Sequence, residues 1–71
     1  MQIIEFIKQR REELGITQQY LAEVASIGLQ TLKTIESGKG NPTLSSLNKL
    51  ADVLGLEIKI QVRTNEESRS L

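Results

Sequence analysis

Gln30, Lys33 and Thr34 stand at positions i, i+3 and i+4 of a short segment bounded by Gly28 and Gly38. Helical spacing puts them on one face with Leu29 and Ser37, while Leu32 and Ile35 fall on another with Thr31 at its margin. The first face carries one cation, no anion, an amide and two small hydroxyls. It is neither a core stripe nor a mixed-charge solubilising surface. Amide, ammonium and hydroxyl groups in this proportion suit hydrogen bonds to base edges and phosphates. Gly28 can serve as an N-cap without a side chain, and Gly38 suits a left-handed helix end. The expectation is a nucleic-acid recognition helix, with the preceding chain built to hold it.

Other chemistry is hard to assemble. The 71 residues include no cysteine and no histidine. That removes a thiolate nucleophile, a disulfide frame, the usual general base and the commonest zinc ligands. The carboxylate neighbours Glu12-Glu13 and Glu66-Glu67 lie on a solvated face and in a polar tail, so neither pair offers a reactive site. No catalytic residue, metal or cofactor is expected. Gly38-Lys39-Gly40 does not have the spacing of a nucleotide-binding loop, and no buried strand precedes it. Nine basic and nine acidic side chains cancel, so attraction to DNA must come from local arrangement. With no bilayer-length apolar run and no signal-peptide pattern, the expectation is a cytoplasmic protein without a membrane partner.

The elements that position the face can be read in order. Gln2 to Leu14 form a first helix, with Ile3, Ile7 and Leu14 near one face and Phe6 and Arg10 filling the gap. Glu5, Lys8, Gln9, Glu12 and Glu13 make an ordinary solvated face. Gly15 ends this helix, and Ile16 is placed to staple the next. Thr17 caps a second helix, Gln18 to Ala25, whose inward positions are Leu21, Ala22 and either Val24 or Ala25. Ser26-Ile27-Gly28 is then a three-residue turn with Ile27 as its plug, which completes a helix-turn-helix. After a Gly- and Pro-containing loop, Thr43 caps a helix from Leu44 to Leu54. Its stripe is Leu44, Leu47, Leu50, Ala51 and Leu54, and Gly55 closes it.

Leu56, Ile58, Ile60 and Val62 then alternate with Glu57, Lys59, Gln61 and Arg63, the pattern of a half-buried strand. No second strand exists in the chain to pair with it. The simplest partner is the same strand of a second copy, antiparallel about a two-fold axis, giving a homodimer. An arm folded back irregularly, or a short fifth helix, are the alternatives. Three regions result: a helical domain at 1–55, a dimerising arm at 56–63 and a disordered polar tail at 64–71.

The chain resembles the helix-turn-helix family of phage repressors and Cro proteins, the xenobiotic-response-element type of regulator. The resemblance spans roughly Ile7 to Leu56. It rests on Gly15-Ile16-Thr17-Gln18-Gln19-Tyr20-Leu21-Ala22, on Ile27 through Thr31, on Ile35-Glu36-Ser37-Gly38-Lys39 and on Asn41-Pro42-Thr43-Leu44. It implies an all-α, compact four-helix domain of the lambda-repressor-like type, followed by a C-terminal β-strand paired across a dimer. It further implies a sequence-specific regulator, an autorepressor that docks on a palindromic operator in double-stranded DNA. By the same resemblance Leu29, Gln30, Lys33 and Thr34 read bases, with Leu29 meeting a thymine methyl. Gln18, Ser37, Lys39 and Asn41 hold phosphates. Arg11 and Glu36 form a charge pair tying the first helix to the end of the recognition helix, with Glu36 at least partly buried. Three positions depart from the pattern: Gly28 for the usual Ser or Thr cap, Leu29 where Arg or Gln is frequent, and Arg10 where many members are apolar. The Leu-x-Ile-x-Ile-x-Val arm and short tail are similar to HipB-type antitoxins. That similarity implies a kinase-like toxin as partner, and the alternative that neutralising it is the main role, with DNA binding secondary.

Overall fold

The computed structural model describes residues 3–62. Among them are four helices: α1 (Ile3–Glu13), α2 (Gln18–Ala25), α3 (Leu29–Glu36) and α4 (Leu44–Leu54). Residues 64–71, expected to be a disordered tail, lie outside the described range.

Local chemistry sets the boundaries. The Thr17 hydroxyl accepts from Tyr20 N at 3.0 Å, and the Thr43 hydroxyl accepts from Ser46 N at 3.0 Å, each satisfying an orphan donor of the first turn. Gly55 ends α4 at φ 71°, and the Leu56 N–H returns to the Ala51 carbonyl at 2.8 Å. The end of α2 is less usual. Ser26 is the one non-glycine residue with positive φ among the described residues, at 59°. This left-handed step lets Ile27 N–H reach back to the Ala22 carbonyl at 3.0 Å, which fixes the turn between α2 and α3.

The core is aliphatic. Ile7, Leu21, Ala22, Ala25, Leu32, Ile35, Leu47, Leu50 and Leu54 form one buried cluster, onto which Ile4, Ile16, Ile27 and Leu29 pack as half-buried neighbours. α2 packs against both α3 and α4, and α1 closes the other side against the same two helices. Burial of each large aliphatic side chain contributes about 1.5–3 kcal/mol, and this drives the assembly of helices too short to persist alone. Of the two inward candidates near the end of α2, Ala25 is buried and Val24 exposed.

Several expected core positions are instead open. Leu44 belongs to the α4 stripe by spacing yet is 51% exposed. It is the first helical residue, and because helical side chains tilt toward the N-terminus, this position extends past the turns of α4 that Leu47, Leu50 and Leu54 bury. On α1 only Ile7 is buried, while Ile3 and Phe6, and Leu14 just past its end, stay exposed. Ile3 and Phe6 instead border an apolar groove with Ile7, Ala51, Leu56 and Ile58. Arg10 does not fill an apolar gap: its Nε donates to the Leu54 carbonyl at 3.0 Å. Residues 56–62 carry no assigned strand. Leu56 and Ile58 pack on the core, but Ile60 and Val62 run past its edge at 86% and 89% exposure. The period of two persists without a ladder, because the described residues offer no neighbouring strand to bond.

Candidate nucleic-acid interface

α3 is held by one face and open on the other. Leu32 and Ile35 lock it into the core, and Glu36 is buried at its end with 7% exposure. Gln30, Lys33 and Thr34 are all exposed on the outer side. Leu29 divides its role, being half-buried and packed against the core. Gly28 caps α3 in an extended conformation and supplies no side-chain oxygen.

A buried carboxylate organises the ground beneath this helix. Arg11 meets Glu36 with two parallel bonds, Nε to Oε2 at 2.7 Å and one terminal nitrogen to Oε1 at 3.0 Å. Its other terminal nitrogen donates to the Ile16 carbonyl at 2.8 Å, so one guanidinium ties α1, the α1–α2 turn and the end of α3 together. The hydrogen bonds to Glu36 raise the Arg11 pKa above its ordinary value, against a smaller opposing effect of burial. Gln18 joins the same anion through Nε2, 3.1 Å from Glu36 Oε1. An ionised carboxylate only accepts, so the amide nitrogen must face it. No buried side-chain nitrogen or oxygen among the described residues lacks a partner.

The residues after α3 serve the turn as well as the surface. The Ser37 hydroxyl donates to the Thr34 carbonyl at 2.7 Å and accepts from Lys39 N at 3.3 Å. In this arrangement its proton points to the Thr34 carbonyl, so the side chain serves the turn. Gly40 adopts φ 105°, a conformation open to glycine, and a Cβ there would come within 3.1 Å of the Thr34 methyl. The loop therefore folds back closely on α3. The side chains of Lys39 and Asn41 are exposed beyond it.

Gln18, Lys33 and Ser37 line one polar cleft, whereas Lys39 and Asn41 are not among its walls. Lys8 also lines that cleft, although the helical pattern alone places it on the solvated face of α1. The signal was available in its spacing, one helical turn before Arg11.

A helix-turn-helix family model matches residues 7–60, which span the α2–turn–α3 unit and its supports. The chain belongs to this helix-turn-helix family of Cro/C1-type regulators. It is 39% identical over 51 residues to an uncharacterised HTH-type transcriptional regulator of Methanothermobacter thermautotrophicus, covering 72% of this chain and 74% of that one. It is 38% identical over 58 residues to the cryptic phage CTXphi transcriptional repressor RstR of Vibrio cholerae, covering 82% of this chain and 52% of the repressor. Similarity to the immunity repressor protein of Bacillus phage phi105 reaches 40% over 52 residues, or 73% of this chain and 36% of the phage protein. The chain thus spans about half or less of the two repressors' lengths. No described helix is long and apolar enough to cross a membrane.

Proposed function

We propose that this protein is a sequence-specific DNA-binding transcriptional regulator, acting as a homodimeric repressor on a two-fold symmetric operator. The observation that carries the reading is the two-sidedness of α3. Leu32, Ile35 and Glu36 fix it rigidly, while Gln30, Lys33 and Thr34 project from it into solvent. An 8-residue helix exposed along one side is of a size to enter the major groove, where an amide and an ammonium distinguish base pairs. The similarity to proteins named as repressors and transcriptional regulators supports the same reading. Two copies related by a two-fold axis would dock about 34 Å apart in successive major grooves.

A second reading, in which the protein chiefly neutralises a kinase-like toxin as HipB-type antitoxins do, draws on the arm. Ile60 and Val62 are exposed apolar residues that offer a partner protein a surface to bury.

The test begins by selecting a preferred duplex from a randomised pool with the wild-type protein. The paired substitution Gln30→Ala with Lys33→Ala is then compared with truncation after Arg63. Loss of retention by the first, with dimer and helix content intact, and full retention by the second support the regulatory reading. Unchanged retention by the paired variant would refute the assignment of α3. A wild type that selects no duplex but captures a kinase-like protein, with capture abolished by Ile60→Glu with Val62→Glu, would favour the interaction reading.

A further inference from the structure

The cleft between α1, the start of α2 and the last turn of α3 has a volume of about 300 Å³. Its walls are Lys8, Arg11, Gln18, Lys33, Glu36 and Ser37. Two of its charges cancel internally, because Arg11 and Glu36 are locked in a bidentate pair. Neither Lys8 nor Lys33 forms an ion pair among the described residues. The cleft is therefore a locally cationic hollow on a chain whose net charge is zero. Glu5 and Glu12 each stand one turn from Lys8 on α1, but neither is among the cleft walls. Glu5 shares an adjoining hollow with Lys8, and Glu12 acts on Arg11, whose charge Glu36 already balances.

Gln18 gives the hollow a directed donor. One hydrogen of its amide nitrogen is held by Glu36, which fixes the side chain and leaves the second hydrogen unused. An oriented amide hydrogen in a cleft also lined by two lysines without ion pairs suits a singly charged, oxygen-rich anion rather than a base edge.

We infer that this cleft seats one phosphodiester of the DNA backbone, and that Lys8 of α1 is a phosphate contact beside Gln18. The inference rests on the regulatory reading above and extends it to a helix outside the helix-turn-helix unit. Lys33 supplies a second positive charge from the α3 wall. Glu36 acts as a positioning residue, aiming the Gln18 amide without touching the phosphate. In a protein with no overall cationic field, each such seat accounts for a large part of the salt-dependent attraction.

The test measures binding of a short mixed-sequence duplex by fluorescence anisotropy as salt is raised from about 50 to 200 mM. Phosphate contacts do not depend on base sequence, so an operator is not needed. Lys8→Gln is expected to weaken binding at low salt and to make the log affinity against log salt slope shallower by about 0.9 per bound protomer. Lys8→Arg should restore the slope, and Lys49→Gln, the same charge change on α4 outside the cleft, should match the wild type. A wild-type slope for Lys8→Gln, or an equal loss for Lys49→Gln, would overturn the seat while leaving the regulatory reading intact. No salt-dependent binding by the wild type would bring down both.

Discussion

Arg10 Nε donates to the carbonyl oxygen of Leu54 at 3.0 Å, across a sequence separation of 44 residues. The cation thus stands at the C-terminal end of α4, where the helix dipole is negative and a backbone acceptor has no helical partner. A residue that sequence reading set down as a departure from an apolar position is a cap supplied from another helix. Its second contact, to Glu13 at 3.7 Å, is solvent-exposed and contributes little. Arg10→Met should cost about 1–2 kcal/mol in urea denaturation, since charged hydrogen bonds are worth more than neutral ones but this one is only partly buried. Glu13→Ala should stay within about 0.5 kcal/mol of the wild type.

Arg11→Ala should be far more damaging, because it strands Glu36 in a buried site with only Gln18 for company. Removing one member of such a pair costs about 3–5 kcal/mol. Lys8→Ala, on an exposed side chain, should leave the melting temperature nearly unchanged. Arg11→Met combined with Glu36→Leu should recover much of the loss, because no buried charge is then left alone. Equal thermal melts for Arg11→Ala and Lys8→Ala would exclude a structural role for the pair.

Ser26 occupies left-handed φ/ψ at the hinge of the motif. A side chain there costs about 1–2 kcal/mol, which glycine avoids at the expense of a more flexible unfolded chain. Ser26→Gly should stabilise by about 0.5–1 kcal/mol, a rise in melting temperature of a few degrees for a domain of this size. Ser26→Val should lower it, since a β-branched residue tolerates positive φ poorly.

Ile60→Glu with Val62→Glu addresses the arm. If a second copy covers these residues, four apolar side chains leave water per dimer, each worth up to about 1.5–3 kcal/mol. The double substitution should then raise the dimer dissociation constant by more than about a hundredfold in sedimentation equilibrium. Helix content should be unaffected, because neither side chain touches the core of its own chain. A monomeric wild type would remove the arm from the dimerisation account.

What the sequence disclosed and what it withheld divide along physical lines. Thr17, Thr43 and Gly55 mark helix ends through bonds to residues three or four positions away, so their roles are visible locally. Leu21, Leu32, Leu50 and Leu54 are buried because periodicity names a face, and the face is enclosed by other helices. Leu44, Ile3 and Phe6 obey the same periodicity but lie where no described helix covers them. Periodicity does not report the partner. Ile4, half-buried against the core, was missed for the converse reason: α1 presents a slightly rotated stripe. At the candidate interface, the outward set Gln30, Lys33 and Thr34 was legible from spacing, whereas the Gln18 link to Glu36 spans 18 residues and two helices. The Ser37 bond to the Thr34 carbonyl likewise depends on turn geometry that composition does not specify.

The carboxylate shared by Arg11 and Gln18 makes one side chain answerable to two kinds of selection. A genetic screen for regulators that have lost control of their promoter would return changes at Glu36 alongside changes at Gln30. The first class would fail through degraded protein and a misaimed amide, the second through an intact protein blind to its target. Steady-state protein abundance would sort the two, and temperature-sensitive alleles should gather around position 36.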